Sequence, residues 1–350
     1  MQTADLLPIL SQFAALDDGA GPQPAAQLVA VPLTGGLIND TFALGQRFIL
    51  QRLHPLFLAT VNQDIAALVP ILASYGVPVP QLVPARDGQP CVTWPDGPAA
   101  GVWRMLTRLP GQTLHRLGNP QQARAAGAMV GEFHSALIQT KHGFAFTRPG
   151  AHDTAKHMQL LTDTLALVPD HRLHAQVAPL AEEVLARWAG FGPLPVLPVR
   201  IIHGDLKVSN LLFDGDAVCG VLDLDTMAHS SLDIELGDAL RSWCNATTED
   251  DPHPRFEREV FAQALAGYLP VAQPWLQPEE RAALAPAVLR ICLELSARFL
   301  ADALRESYFG WDKARFAQRG EHNLLRGANQ LGLARDVAAQ MPELLAIAAG

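Results

Sequence analysis

The sequence is poor in charged residues and in cysteine, and both shortages restrict what the protein can be. Charged residues make up 17% of the 350 positions and hydrophobic residues 49%, whereas disordered chains show the opposite balance. The four cysteines include no pair with CxxC spacing, which indicates reduced thiols rather than a disulfide framework. The first residues carry no lysine or arginine, unlike a signal peptide. We therefore expect a packed globular protein of the cytoplasm.

Positive charge and long apolar runs are also scarce. The net charge of −9 argues against a general nucleic-acid binder, which needs a basic face, although a few local cations would serve a phosphorylated small ligand. The most apolar late stretch, residues 282–303, contains Arg290, Glu294 and Arg298. It therefore predicts a core helix and not a membrane span. We expect neither nucleic acid nor a membrane as partner, and the sequence leaves the oligomeric state open.

Hydrophobic periodicity divides the chain into a short β-rich part and a longer helical part. A single hydrophobic core seldom extends through 350 residues, so two lobes are expected. Residues 1–109 show strand patterns and one helical pattern, residues 110–350 are mostly helical, and Pro110-Gly111 lies near the hinge. The prediction is an α+β, bilobal fold. Helical spacing marks the segments 63–74, 121–138, 160–167, 176–188, 256–268 and 279–304.

One segment concentrates polar residues between apolar strands: IIHGDLKVSNLLFDGDAVCGVLDLDT, residues 201–226. Asp205 precedes Asn210 by five residues, the interval at which protein kinases place a catalytic Asp and a metal-binding Asn. The Asp205 carboxylate can orient and deprotonate a substrate hydroxyl, while Asn210 supplies a neutral oxygen to Mg²⁺. Asp214-Gly215 predicts a hairpin that returns the chain beside this loop. Asp223, after the hairpin, is then the second metal ligand.

The same segment carries a resemblance to a known superfamily. HGDLKVSNLLF followed by GVLDLD resembles the aminoglycoside phosphotransferase and choline kinase superfamily, relatives of the protein kinases that phosphorylate small molecules. The resemblance covers most of the chain and implies ATP and Mg²⁺ as cofactors. PLTGGLINDTFAL is similar to the nucleotide loop, and RMLTRLPGQTL to the hinge, whose backbone at Met105 and Thr107 would contact adenine. SSLDIELGDALRSW is similar to a helix in which Asp238 and Arg241 brace the catalytic loop.

Three stretches resemble the N-acetylhexosamine 1-kinase branch, which phosphorylates the anomeric hydroxyl of a sugar. They are GGLINDTF with FILQRLHPLF, then VLDLDT, and finally RFLADALRESYF with GEHNLLRGANQL. This branch commonly has a histidine just before the I-N-D segment, where the present sequence has Leu37. The departure bears on which sugar is preferred.

Several residues of the first lobe are candidates for nucleotide binding. Gly35 and Gly36 permit close backbone approach to phosphates. In place of the strand lysine of protein kinases the sequence offers Gln51 and Arg52, and only one of these neighbours can face the nucleotide. We assign Arg52, because it has the charge and a fork suited to phosphate. Asp64 on the next helix is either its ionic partner or an exposed acid.

Four side chains are candidates for the acceptor side of the site. Lys207, inside the catalytic loop, either neutralises the transferring phosphoryl group or faces solvent. Asp225 shares a strand face with the second metal ligand and holds a sugar hydroxyl, a second metal ion or neither. Arg298 and Asp302 share a helix face, and spacing alone favours an ion pair between them. The resemblance instead places Arg298 and Tyr308 in a sugar pocket.

These observations predict an ATP- and Mg²⁺-dependent small-molecule kinase whose acceptor is the anomeric hydroxyl of an N-acetylhexosamine or a related sugar. Two alternatives stay open. The first is a kinase that acts on an aminoglycoside, choline or homoserine, since the net charge of −9 is compatible with cationic acceptors. The second is a pseudokinase that binds nucleotide without catalysis, against which the intact Asp205, Asn210 and Asp223 argue. The sequence does not decide between ATP and GTP, or how far the lobes close.

Overall fold

The computed structural model describes residues 3–17, 21–33 and 39–350. The predictions made for Gly35, Gly36 and Leu37 therefore lie outside the described residues. The described helices are α1 (Thr3–Leu10), α2 (Val61–Ser74), α3 (Pro120–Leu137), α4 (Thr154–Leu167), α5 (His174–Ala189), α6 (Leu232–Trp243), α7 (Arg258–Ala272), α8 (Pro278–Arg305), α9 (Arg319–Ala339) and α10 (Met341–Ala349). The described strands are β1 (Ala15–Asp17), β2 (Pro22–Pro24), β3 (Ala30–Pro32), β4 (Asp40–Leu44), β5 (Phe48–Arg52), β6 (Leu82–Val83), β7 (Val92–Trp94), β8 (Gly101–Thr107), β9 (Gln112–Thr113), β10 (Val199–Ile202), β11 (Leu211–Asp214), β12 (Ala217–Val221) and β13 (Ala228–Ser231).

The N-terminal part is built on an antiparallel sheet in the order β3-β4-β5-β8-β6, with β7 also paired to β8. Leu50 pairs with Met105 across β5 and β8, and both are fully buried together with Trp103 in a small core beneath the sheet. Since successive strand residues face opposite sides, the next cross-strand pair, Gln51 and Arg104, takes the other face. That face is the one turned toward the helical part.

The C-terminal part is organised around α8, a helix of 28 residues. It packs against α4, α5, α6, α9 and α10, and its Ile291, Leu293 and Ala297 have no solvent exposure. The prediction of a core helix in this stretch is confirmed. Among the described helices, none combines the length and the apolarity needed to cross a bilayer. The α+β prediction, with β-rich residues first and helices after them, is confirmed as well.

Helix α2 packs with the larger of the two main cores. Its buried Ile65, Leu68 and Leu72 lie in one cluster with residues of α3, α6 and α8, whereas the sheet has its own cluster. The sheet and the helical part are therefore tied together through α2. The lobe boundary near residue 109 stays a prediction.

Helix α9 is missing from the periodicity-based prediction, and its packing explains why. Several positions on its buried face are polar, so no apolar stripe marks it. Polar side chains of α9 that lie fully or almost fully buried are His322, Asn323, Asn329 and Gln330. The neighbouring polar groups that make this burial tolerable come from distant parts of the chain, including Asp302 and Asp250.

Two antiparallel strand pairs carry the polar segment at residues 201–226. Strand β11 pairs with β12 through the predicted Asp-Gly turn, where Gly215 has a φ of 59°. Strand β10 pairs with β13. The loop after β10 and the segment between β12 and β13 therefore leave neighbouring strands at the same place. The predicted hairpin is confirmed, and it brings residues 203–210 beside residues 222–227.

Two glycines set the distance between α3 and α7. A Cβ on Gly127 would lie 1.9 Å from the carbonyl oxygen of Ala264, and one on Gly267 would lie 2.0 Å from that of Arg124.

We expect Gly127→Ala to lower the free energy of unfolding by about 3 kcal/mol, because backbone atoms cannot move aside as a flexible side chain can. Urea denaturation measures the change. Gly143→Ala, where the added Cβ meets nothing within 4 Å, is the control. Equal stability of the two variants would contradict the conclusion that Gly127 allows the close contact between α3 and α7.

Candidate active site

The loop after β10 is bonded to the segment between β12 and β13. His203 is fully buried, and its Nε2 lies 2.7 Å from the carbonyl oxygen of Leu222. The hydroxyl of Thr226 donates to the carbonyl oxygen of His203 at 2.9 Å. Gly204 has a φ of 82°, and a Cβ there would lie 2.4 Å from the carbonyl oxygen of Thr226. The H-G-D sequence is therefore required locally, by a buried ring and by a close approach that only glycine permits.

A buried carboxylate on α6 holds the backbone of this loop. Glu235 accepts hydrogen bonds from the N–H groups of His203 at 2.7 Å and Gly204 at 2.8 Å. His134 lies 3.3 Å from the same carboxylate, and its other ring nitrogen lies 3.0 Å from the Tyr268 hydroxyl. Burial alone would raise the pKa of Glu235, but the hydrogen bond and charge of His134, with the backbone donors, hold it below its ordinary value. Sequence reasoning missed Glu235, because a single Glu in an apolar helix carries no motif.

The bracing of the catalytic loop by Asp238 and Arg241 stays a prediction. Arg241 donates to Asp238 at 3.1 and 3.0 Å and to Glu249 at 2.7 Å, so these three groups satisfy one another. The same helix contacts the loop through Trp243, whose indole N–H donates to the carbonyl oxygen of Leu206 at 2.7 Å. Helix α6 thus contacts the loop through the Trp243 indole as well as through the Glu235 carboxylate.

Asp205, Lys207 and Asn210 come together as the interval in the sequence predicts. The Asn210 amide donates to the carbonyl oxygen of Asp205 at 2.7 Å and to its carboxylate at 3.1 Å. Lys207 donates to the same carboxylate at 2.5 Å. Burial would lower the pKa of Lys207, but the Asp205 carboxylate raises it above its ordinary value. The Asn210 amide nitrogen is thus fixed, while its oxygen accepts no hydrogen bond from the described residues.

Asp223 stands beside this group in an unusual backbone conformation. Its φ of 62° and ψ of 57° place it in the left-handed region, which is uncommon for a residue other than glycine. Its carboxylate accepts no hydrogen bond from the part of the chain that the structure describes. Burial, followed by the nearby carboxylates of Asp225 and Asp205, raises the pKa of Asp223 above its usual range. The hydrogen bond from Leu222 N–H to the Asn210 carbonyl at 2.8 Å keeps Asp223 next to the catalytic loop.

These oxygens fit a small divalent cation. The amide oxygen of Asn210 and the carboxylate of Asp223 are uncommitted hard donors, and neighbouring negative charge favours a cation between them. Mg²⁺ uses one or two protein carboxylates and completes its shell with water and substrate phosphates. Among the described residues, no cluster of three or more His, Cys, Asp and Glu side chains is arranged for a metal ion. Two protein donors would leave the other positions around such an ion to water and phosphates.

Asp225 is committed to the N-terminal sheet. It is buried, and both of its oxygens accept from the Arg104 guanidinium, at 2.5 and 2.8 Å. The Asn39 amide adds a hydrogen bond at 2.9 Å. The assignment of Asp225 to a sugar hydroxyl or a second metal ion stays a prediction, because nothing in this geometry tests it. Arg104 and Asn39 were missed, since their only signal is a lone cation in an apolar strand and an Asn beside an Asp.

Gln51 and Arg52 point to opposite sides of β5. Arg52 donates to Asp40 at 2.8 Å and to the carbonyl oxygen of Pro98 at 3.2 Å, and its guanidinium lies over Trp103. Gln51 instead accepts from Arg104 on the side where the catalytic segments lie. The geometry favours Gln51 as the residue facing the cleft. The phosphate contact assigned to Arg52 stays a prediction.

Asp64 is neither the ionic partner of Arg52 nor an exposed acid, the two alternatives that the sequence left open. Asp64 is buried, and its carboxylate lies 2.8 Å from the ring nitrogen of His142. It also accepts from the N–H groups of Ala145 and Phe146, each at 2.9 Å. Asp64 therefore attaches α2 to the loop that follows α3. This explains how α2 comes to share the larger core.

The predicted hinge residues lie at the end of β8. Met105 is fully buried in the core of the sheet, and its strand is paired on both sides. The N–H of Thr107 donates to the carbonyl oxygen of Gln81 at 2.8 Å, and the Thr107 hydroxyl accepts from Gln81 N–H at 2.9 Å. The adenine contacts assigned to the backbone of Met105 and Thr107 stay predictions.

Arg298 and Tyr308 both lie beside the Phe309 ring. The ion pair between Arg298 and Asp302 that spacing favours is not formed. The Asp302 carboxylate accepts from the N–H groups of Ser307, Tyr308 and Phe309, at 2.9 to 3.0 Å. It thereby fixes the turn that presents Tyr308, whose side chain is 56% exposed. The Arg298 guanidinium lies 5.6 Å from the Phe309 ring centre and donates no hydrogen bond to the described residues.

A buried polar group connects this region to the catalytic loop. Glu294 has no solvent exposure, lies 3.0 Å from a ring nitrogen of His152 and accepts from the Thr154 hydroxyl at 2.6 Å. Although burial opposes it, Glu294 raises the pKa of His152 above its ordinary value. The charge of Asp238 acts on both His152 and Lys207. Asp238 is therefore close to both side chains.

The fold and the cleft together define a protein with the architecture of the small-molecule kinases. An amicoumacin kinase, solved with AMP-PNP and Ca²⁺, superposes with a TM-score of 0.63 at 15% identity, covering 94% of this chain and 92% of that one. A microcompartment-associated aminopropanol kinase gives a TM-score of 0.63 at 18% identity, covering 97% and 98%. These likenesses establish the fold.

The chain belongs to the phosphotransferase enzyme family, which matches residues 29–278. The homoserine kinase of Zymomonas mobilis is 28% identical over 178 residues, which are 51% of this chain and 52% of that protein. The matched segment thus spans about half the length of such curated relatives. The predicted superfamily is confirmed. Its N-acetylhexosamine 1-kinase branch stays a prediction.

Glu235 should make the stability of the catalytic loop depend on pH. Because its folded-state pKa is lowered, its contribution is complete above the ordinary glutamate pKa and is lost as pH falls through the lowered value. We expect Glu235→Gln to lower the free energy of unfolding at pH 7 by about 2 kcal/mol, through lost charge-assisted hydrogen bonds. The loss should shrink toward pH 4. Melting curves across this range measure it, with the exposed Glu132→Gln as control; a loss independent of pH would contradict this reasoning.

Proposed function

We propose that this protein is an ATP- and Mg²⁺-dependent small-molecule kinase that phosphorylates a hydroxyl group, with an N-acetylhexosamine or related sugar as the acceptor. The observation that carries the proposal is the convergence of Asp205, Asn210 and Asp223 at one point between the sheet and the helical part. Asn210 bonds to Asp205 through its side chain and to Leu222 through its carbonyl. Family membership supports phosphoryl transfer as the reaction.

Asp205 is the group that would handle the acceptor proton. Its carboxylate is held by Asn210 and Lys207, so it is pre-oriented and charged. An acceptor hydroxyl hydrogen-bonded to it would be aligned for attack, and its proton would pass to the carboxylate. The Lys207 side chain is 41% exposed. Its ammonium group would stabilise the negative charge that develops on the transferring phosphoryl group.

Asn210 and Asp223 would hold Mg²⁺ through their uncommitted oxygens. When bound, the ion offsets the charge of the nucleotide phosphates. The pairing of β11 with β12 keeps the two ligands at a fixed separation. Positioning and charge neutralisation supply most of the catalysis in phosphoryl transfer, so rigid placement of these side chains is what the reaction requires.

A sugar acceptor is supported by the surface around Arg298. The guanidinium makes an ion pair with Glu294 at 3.8 Å but donates no hydrogen bond to the described residues. Tyr308 and Phe309 pack edge to face at 4.9 Å beside it. Aromatic faces and forked donors match the apolar faces and hydroxyls of a pyranose. Glu294, 3.8 Å from the Arg298 guanidinium, and His152, 3.0 Å from Glu294, are further polar groups beside this surface.

Homoserine is the second candidate acceptor, because the curated relatives that match half of the chain are homoserine kinases. Homoserine carries a carboxylate and an ammonium group, so its site needs a cation and an acid near the catalytic loop. Arg298 with Asp238 or Glu294 would satisfy that requirement. A panel of homoserine, free sugars, amino alcohols and aminoglycosides, with ATP consumption as the readout, separates the candidates.

Asp205→Asn should lower kcat by about 10²- to 10⁴-fold, because an amide cannot accept the acceptor proton. Nucleotide affinity, measured by calorimetry with a non-hydrolysable ATP analogue, should stay close to that of the wild type. The matched control is Asp214→Asn in the exposed turn of the same hairpin. Full activity of Asp205→Asn would remove this residue from the proposed role.

Arg298→Met should raise KM for the acceptor by about tenfold, the effect of losing one charge-assisted hydrogen bond. KM for ATP should not change, because Arg298 lies on the helical side of the cleft. Initial-rate measurements with the best acceptor of the panel give both constants. Arg305→Met, on the exposed end of the same helix, is the control. A rise in KM for ATP alone would mean that Arg298 contacts the nucleotide, and it would contradict the placement of Arg298 in the acceptor pocket.

A further inference from the structure

Arg104 lies at the centre of the N-terminal sheet and makes every hydrogen bond that a guanidinium can make. It is 2% exposed. It donates to Asp225 at 2.5 and 2.8 Å, to the Gln51 side-chain oxygen at 3.0 and 2.8 Å, and to Asn62 at 3.4 Å. A guanidinium carries five N–H donors, so all of them are engaged. The side chain is therefore fixed in one position.

The partner of Arg104 belongs to the segment that presents the second metal ligand. Asp225 lies in the short 3-10 turn Leu224–Thr226, and Asp223 caps that turn in a left-handed conformation. The Asn39 amide also donates to Asp225, and its oxygen accepts from the N–H of His54 at 2.9 Å. Two side chains of the N-terminal part thus hold one carboxylate of the other part.

The energetics of burial make this pair sensitive to any change. The Arg104 and Asp225 side chains are 3% and 0% exposed. Loss of either partner would leave an uncompensated charge without water, which the segment could relieve only by moving. The left-handed conformation of Asp223 is uncommon for a non-glycine residue and persists only where its surroundings hold it.

We propose that Arg104 is a positioning residue whose ion pair with Asp225 fixes the segment 222–226, and with it Asp223, against the N-terminal sheet. The inference deepens the proposed function and rests on it for the role of Asp223. In this arrangement the sheet contributes a cation that does not bind substrate directly. Its effect reaches the divalent ion through the two-residue connection from Asp225 to Asp223.

The first test measures Mn²⁺ binding by electron paramagnetic resonance, in the presence of a non-hydrolysable ATP analogue. Arg104→Met and Asp225→Asn should each weaken Mn²⁺ binding by about 10- to 100-fold, as loss of a support outside the ligand shell does. Arg104→Lys should be intermediate, because lysine keeps the charge but cannot bond both carboxylate oxygens. The variant that combines Arg104→Met with Asp225→Asn should bind Mn²⁺ no more weakly than the single variant with the lower affinity. Arg86→Met, an exposed cation of the same part of the chain, should bind as the wild type does.

The second test needs no ligand and keeps the outcomes distinct. Amide hydrogen exchange of residues 222–227 should be faster in Arg104→Met and Asp225→Asn than in the wild type and in Arg86→Met. Unchanged exchange in the folded variants would overturn the proposal, as would Mn²⁺ binding equal to that of the wild type. If these variants had a lower melting temperature but the Mn²⁺ affinity of the wild type, the ion pair would only stabilise the fold, and the proposal would be overturned. Wild-type protein that binds no Mn²⁺ with nucleotide would instead refute the proposed function, while hydrogen exchange would still decide whether the pair fixes the segment.

Discussion

At the base of the cleft, the Glu235 carboxylate accepts two consecutive backbone N–H groups of the loop that carries Asp205. The geometry of the site depends on this interaction, because the backbone of His203 and Gly204 would otherwise be free to turn. His134 and Tyr268 extend the bond network into α3 and α7. The helices that build the core thus also orient the loop, and the glycines between α3 and α7 let that core close.

Most of the acidic side chains around the cleft are paired with cations. Three carboxylates lie close together, those of Asp205, Asp223 and Asp225, and burial with the charges of Asp225 and Asp205 raises the pKa of Asp223. Two of them have fixed cationic partners, Lys207 and Arg104. Asp223 alone is left without a partner among the described residues. In the proposed function, this unpaired carboxylate would attract one divalent ion, whose remaining ligand positions would be available to water and phosphates.

Local features of the site were predictable, because they depend on short intervals. The spacing from Asp205 to Asn210, the turn at Asp214-Gly215 and the helical stripe of α8 each follow from geometry within a few residues. Long-range partners were not. Asp64, for which the sequence left an ion pair with Arg52 or an exposed position open, is buried and bonds the loop after α3. Helix α9 has no apolar stripe, because polar residues on its buried face meet polar groups from distant parts of the chain, such as Asp302 and Asp250.

The sequence by itself determined the division into a β-rich part and a helical part, the loop of residues 203–210 and the superfamily, since motif spacing and hydrophobic period depend on residues close together along the chain. Only the tertiary structure decided which charges meet. Arg104 and Asp225 are 121 residues apart, and Glu235 reaches the loop from a separate helix. Such pairs form because burial forces each charged group to find a partner in space, and the partner's position along the chain does not enter into that requirement.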